Sequence, residues 1–245
     1  MAQDNEPKAN SEGMAADPPR SRIIDALLVL AAEQPFEEIT ISAIAARAGV
    51  SLADFRDAFP SKGAILAGFT KRIDRIVLEG QTDELATEEP KERLFDVLMR
   101  RLDAMKPYRE GLREIAQWLR RDPLAALAVN QVVINSMRFM LEAAGIENEG
   151  ASGAVVLQGL AMAWARVLDV WLDDEEPELS KTMAALDREL SRGERLVARV
   201  ERLDRFAGPL KALARAAFET RRHASEAFRH RPRRRDAETE REHRL

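Results

Sequence analysis

The chain of 245 residues contains no cysteine. That excludes a disulfide framework, a cysteine-based zinc site and a thiol nucleophile. Histidine is almost as scarce: His223, His230 and His243 all fall within the last 23 residues. A folded body without His or Cys offers neither a histidine-based triad nor a common zinc site. No catalytic residue, metal or cofactor is therefore expected, and the chain is not expected to be an enzyme. Aromatic residues make up only 5%, with a single tyrosine. No stretch reaches 18 uninterrupted apolar residues. The best, Ala151 to Leu172, is broken by Gln158, Arg166 and Asp169, which argues against a membrane span. The first 19 residues, MAQDNEPKANSEGMAADPP, lack the apolar run of a signal peptide and read as a disordered arm. A cytoplasmic location is expected.

What is present is helical composition, 45% hydrophobic and 33% charged. The net charge of −4 hides an asymmetry. Residues 221–245 hold nine Arg against five acids, whereas the rest holds 29 basic against 37 acidic residues. Leu210, Leu213, Ala214, Ala217, Phe218, Arg221, Ala224 and Phe228 follow helical spacing, and Arg205 to Arg235 carries ten basic residues against two acids. A basic amphipathic helix over Leu210–His230 reads as a surface for membrane or nucleic acid, or as a solvated tail docked on the acidic body.

Elsewhere apolar residues recur at the helical period in nearly every segment. A first helix is expected over Ser21–Glu33, stopped by Gln34-Pro35. Thr40 is placed to cap a second, which Gly49 ends by taking the left-handed conformation cheaply. Ser51 caps a short third helix, broken at Pro60. Ser61 caps a fourth running to about Gly80. Further helices are expected over Pro90–Ala104, Pro107–Trp118 and Pro123–Ala143, the last capped by Asp122. A loop at Gly145–Gly153 precedes an apolar helix over Ala154–Leu172. The acidic run Asp173–Glu176 complements the start of a helix running from Pro177 to about Gly208. No strand pattern and no internal repeat are visible.

Helix, glycine turn and short helix within about 20 residues is the plan of a helix-turn-helix. Thr40 to Phe59, TISAIAARAGVSLADFRDAF, follows it. Ala45 sits where two helices cross and must be small. Val50 and Phe55 would bury the second helix against the first.

Over Arg22 to Phe69 the sequence resembles the TetR family of one-component regulators. The likeness rests on Ala31-Ala32 near the end of helix one, Phe36, the threonine before helix two, IAARAGVS (Ile44 to Ser51), and the Phe55, Phe59, Ser61, Lys62 pattern. The resemblance implies an all-α, TetR-like fold: an N-terminal three-helix helix-turn-helix domain and a larger helical ligand-binding and dimerisation domain. It implies a homodimer that binds double-stranded DNA at a palindromic operator and answers to a small apolar effector. Residue by residue, it places Thr40 and Lys62 on phosphates and puts Ser51 at the start of the DNA-facing helix. Leu52, Ala53, Asp54 and Asp57 fall at or beside base edges. Arg56 stands where the family usually has a phosphate-contacting Tyr, and Ala58 where it often has His or Tyr. The expected domains are an arm at 1–19, the DNA-binding domain at 20–68, an effector and dimer domain at 69–205, and a basic tail at 206–245. From Arg20 to Gly80 eight basic residues meet eight acidic ones, a weak field for a duplex whose phosphates supply much of the affinity.

Trp118, Met137, Met140, Met162, Trp164 and Trp171 lie on helices expected to converge. Met and Trp suit an adaptable apolar effector pocket, or plain core. Ala154–Leu172 and Pro177–Val200 are the candidates for an intersubunit four-helix bundle. A second, shorter resemblance covers Trp171 to Leu190, which is similar to the end of the TetR-like lipid-binding accessory proteins of ubiquinone biosynthesis. It implies an alternative: a lipid-binding helper, without DNA binding, that touches a membrane through Leu210–His230.

Overall fold

The computed structural model describes residues 18–80, 87–147 and 150–196. All regular structure among them is helical. The order is α1 (Pro19–Glu33), α2 (Ile41–Ala48), α3 (Leu52–Ala58), α4 (Lys62–Glu79), α5 (Pro90–Met105), α6 (Arg109–Arg121), α7 (Pro123–Ala143), α8 (Gly150–Asp173) and α9 (180–196). Single 3-10 turns at Phe36–Glu38 and Lys106–Tyr108 precede α2 and α6.

α2, α4 and α7 each begin on the cap the sequence supplies. The Thr40 side chain accepts from the Ala43 amide at 3.1 Å, Ser61 from Ala64 at 3.2 Å, and Asp122 from Leu124 and Ala125 at 3.1 and 3.0 Å. Such a cap stabilises a helix by about 1 kcal/mol. Gly49 closes α2 at φ 62°, ψ 41°. Its amide reaches Ala46 O at 3.2 Å and that of Val50 reaches Ala45 O at 3.0 Å, a pattern that satisfies two end carbonyls at once.

Several boundaries differ from expectation. α1 begins at Pro19, two residues early, and α6 spans Arg109–Arg121, running three residues past Trp118. The helix expected from Ala154 begins at Gly150, so the preceding loop is shorter. α9 starts after Pro177, because Asp174 is buried and organises the turn. Its carboxylate accepts from the Thr182 amide and hydroxyl at 2.9 and 2.7 Å and from the Glu176 amide at 3.2 Å. Leu179, at φ 53°, takes the left-handed strain of that turn while its side chain stays buried. The expected basic helix Leu210–His230 and the far end of the expected Pro177–Val200 helix lie outside the described residues.

One apolar core runs from Ile23 and Leu27 of α1 through Ile65 and Ile73 of α4 to Leu98, Leu102, Met137, Val167 and Trp171. By length and composition α7 and α8 could each cross a bilayer. α8 turns Leu157, Leu160, Trp164 and Trp171 into the core, but α7 leaves Leu124 and Leu127 at the surface.

α1 and α6 approach closely. A Cβ on Gly111 would stand 2.4 Å from the Leu28 carbonyl oxygen, so only glycine allows this crossing. The N-terminal helices are thus seated directly on α6.

Candidate nucleic-acid interface

Helices α2 and α3 meet at the Gly49 turn, and α3 lies with one face inward. Phe55 and Phe59 are buried, whereas Ser51, Leu52, Ala53, Asp54, Arg56 and Asp57 are all exposed. Leu52, at 57% exposure, is uncovered among the described residues. A seven-residue helix is too short to hold itself together, and three devices hold this one. Ser51 and Asp54 form a reciprocal capping box, with Asp54 N to Ser51 Oγ at 3.0 Å and Ser51 N to Asp54 Oδ2 at 3.3 Å. Phe55 anchors the middle. Phe59 closes the end beneath the Arg20 guanidinium, 4.2 Å from its ring centroid. The Ser51 hydroxyl also donates to Asp54 Oδ2 at 2.7 Å, and this bond holds the Asp54 carboxyl below its ordinary pKa.

The charges around α3 are not interchangeable. Arg22 donates to Ala48 O and Gly49 O at 3.1 and 3.3 Å, Arg47 pairs with Glu33, and Arg72 pairs with Asp25 at 2.8 Å. Arg56 has no hydrogen bond or ion pair among the described residues, and neither has Asp57. Arg22, Arg47 and Arg72 are therefore already engaged within the fold, and Arg56 is the cation left on the outward face of α3.

Lys62 opens α4 directly after the Ser61 cap, and its ammonium is engaged within the fold. Its ammonium donates to Phe36 O and Ile39 O, both at 2.9 Å, and lies 4.7 Å from the Phe36 ring centroid. Partial burial lowers its pKa, opposed by the nearby Glu37 carboxylate. An ammonium has three donors, and two are engaged. Lys62 thus clamps the α1–α2 connection to the start of α4, with one donor left without a partner among the described residues.

Phe36 is the junction that sequence patterns did not single out for a role. Its amide donates to Glu114 Oε1 at 3.1 Å, its carbonyl holds Lys62, and its ring lies 4.4 Å from that of Trp118. Trp118 consequently lies at the joint between α6 and the helix-turn-helix, half-buried against the same core that holds Met137, Met140, Trp164 and Trp171. Met137, Met140, Trp164 and Trp171 are buried together in the core. Met162 is 52% exposed, because it sits two positions from Trp164 and so on the opposite arc of α8. None of the six lines either of two surface clefts: one beside Lys71, Asp74, Arg75, Leu78, Glu79 and Phe139, the other beside Arg113, Gln117, Arg120, Asp169, Leu172 and Asp173. Among the described residues no group of His, Cys, Asp or Glu is placed to hold a metal ion.

Residues 23–68 match the sequence profile of bacterial regulatory proteins of the tetR family. The structure resembles that of a TetR transcriptional regulator from Nitrosomonas europaea, at TM-score 0.57 and 23% identity, over 73% of this chain and 99% of that one. It also resembles a TetR transcriptional regulator from Rhodococcus, at TM-score 0.52 and 22% identity, over 71% and 95%. No curated protein sequence matches the chain. The likeness of Trp171–Leu190 to lipid-binding accessory proteins gains no support from these matches.

Proposed function

With a tetR-family helix-turn-helix domain set in the all-α fold of TetR regulators, we propose that this protein is a dimeric, effector-controlled DNA-binding transcriptional regulator, acting as a repressor. The observation that carries this is α3: a helix too short to persist alone, fixed by a capping box and two buried phenylalanines, and exposed along its whole outward face. Thr40 and the third donor of Lys62 contact phosphates on either side, and Arg56 supplies the free charge between them. Leu52, Ala53 and Asp57 meet base edges, where an aspartate accepts from cytosine N4. Asp54 stays with its cap.

Two such helices about one duplex turn apart, roughly 34–36 Å, read a palindrome. Exposed Val155 and Met162 on α8 and Met183 on α9 support a second copy of the chain packing there as a four-helix bundle. A small, largely apolar effector that shifts α4 alters the spacing of the two recognition helices and releases DNA. The protein works in the cytoplasm, without catalysis or cofactor.

The test is binding to the DNA upstream of its own gene at two salt concentrations, together with genomic immunoprecipitation. A discrete site with a steep salt slope is expected. Equal affinity for all duplexes, or none, overturns the proposal.

A further inference from the structure

The effector domain contains one ion pair buried where apolar packing would serve. Asp74 of α4 accepts from Arg101 of α5 and, at 2.6 Å, from the Ser136 hydroxyl of α7, all on the same carboxylate oxygen, Oδ1. Arg101 is 4% exposed. Its guanidinium lies 5.3 Å from the Trp164 ring centroid and 3.9 Å from Met140 Sδ, and its Nε is buried without a partner. Burial of this kind disfavours the charge, which Asp74 offsets.

Asp74 is also the wall of a cleft of about 440 Å³ between α4 and α7. Leu78 and the half-exposed Phe139 give the cleft apolar sides, and Lys71 stands on its edge. The two partners of the ion pair are therefore not alike. Arg101 is enclosed, and its only counter-ion among the described residues is Asp74. Asp74 is also buried, at 8% exposure, but unlike Arg101 it lines the open cleft, and Lys71 stands one turn away on its own helix, at a spacing that lets the two side chains meet.

From this asymmetry we infer that the α4–α7 cleft is the entrance to an effector site for an amphipathic carboxylate, whose anionic head replaces Asp74 on Arg101 while its apolar body lies against Leu78 and Phe139. An anion can make this exchange because Asp74, once displaced, turns outward to Lys71. A cation cannot: by pairing with Asp74 it would strand Arg101 in the core, and a buried charge without a partner is strongly unfavourable. The exchange removes the Asp74 contacts that tie α4 to Arg101 of α5 and to Ser136 of α7. This identifies the chemical class of effector for the regulator proposed above and rests on that proposal for its consequence at DNA, though not for binding itself.

The test uses the full chain without DNA and three eight-carbon probes: octanoate, octanol and octylammonium, all below micellar concentration. Tryptophan fluorescence reports binding, since Trp164 lies against Arg101. Octanoate alone should bind saturably. Asp74→Asn, which removes the internal competitor, should tighten octanoate at least tenfold. Phe139→Glu, a surface change, should weaken it at least tenfold. The double variant Asp74→Asn/Arg101→Met removes both charges together, keeps the core neutral, and should lose octanoate. Equal binding of octanol or octylammonium, or retention of octanoate by the double variant, overturns the inference even if Asp74→Asn fails to fold. Octanoate is then added to the complex with upstream DNA. Arg101-dependent binding in a protein that recognises no DNA leaves the site standing and removes the regulatory proposal. A discrete DNA site with no octanoate binding does the reverse.

Discussion

Replacing Gly111 by alanine tests how the helix-turn-helix is joined to the rest of the molecule. The added methyl would start 2.4 Å from the Leu28 carbonyl oxygen, a backbone atom that no side-chain rotation can move. Ordinary contact needs about 3.4 Å or more, so α1 and α6 must separate by roughly 1 Å. Such overpacking costs about 1–3 kcal/mol. Separation also loosens the Phe36–Trp118 contact and the Phe36 N–H to Glu114 bond, which span the same two bodies. Part of the cost is offset because alanine favours helix over glycine by about 1 kcal/mol. A net loss of about 1 kcal/mol lowers Tm by roughly 2–4 °C in a chain of this size. Thermal unfolding followed by circular dichroism measures it. An unchanged or raised Tm would refute the close crossing of α1 and α6, since alanine would then act only as a better helix former.

Three further outcomes follow from the geometry. Arg56→Ala should weaken specific and random duplexes by a similar factor and reduce the salt slope by about one unit; an unchanged slope in a binding titration means Arg56 meets no phosphate. Glu189 is held below the ordinary glutamate pKa, chiefly by its hydrogen bond from Arg166 at 2.6 Å, with Arg192 adding to it. Its contribution is therefore complete above the unfolded value of about 4.3 and is lost as pH falls through the lower folded value. Glu189→Gln should lower Tm at neutral pH, and the gap to wild type should narrow as pH is taken from about 5 towards 3; a constant gap in a pH series of melts contradicts the pairing. Met162→Glu puts a charge on the exposed arc of α8 and should convert the proposed dimer to monomer by light scattering without lowering helix content, whereas a persisting dimer moves the interface elsewhere.

The segments that could be read from sequence are those whose cause is local. Thr40, Ser51, Ser61 and Asp122 cap the amides two or three residues ahead, and Gly49 ends its own helix, so their roles are written within four residues of themselves. The rest depends on partners far along the chain. Trp118 belongs to the joint because Phe36 lies against it, 82 positions away, and periodicity alone gives no sign of that. Lys62 sits at a helix start, where a phosphate role is natural, but its ammonium is drawn to two carbonyls brought there by the 3-10 turn. Met162 shares composition with Met137 and Met140 and differs only in the arc of the helix it occupies. The start of α9 shifted because Asp174, one of four consecutive acids, was the one to be buried.

The seat of the helix-turn-helix on α6 has a mechanical consequence. Leu28 rests on Gly111, and Phe36 rests on Trp118 and Glu114. From the other side α4 grips the same segment, through Arg72 on Asp25 and Lys62 on the Phe36 and Ile39 carbonyls. α1 and the α1–α2 connection are thus held between α4 and α6, and any load on α4 is divided between the two. The tightness of the grip from α6 then sets how much of any displacement at Asp74 arrives at Leu52 and Arg56.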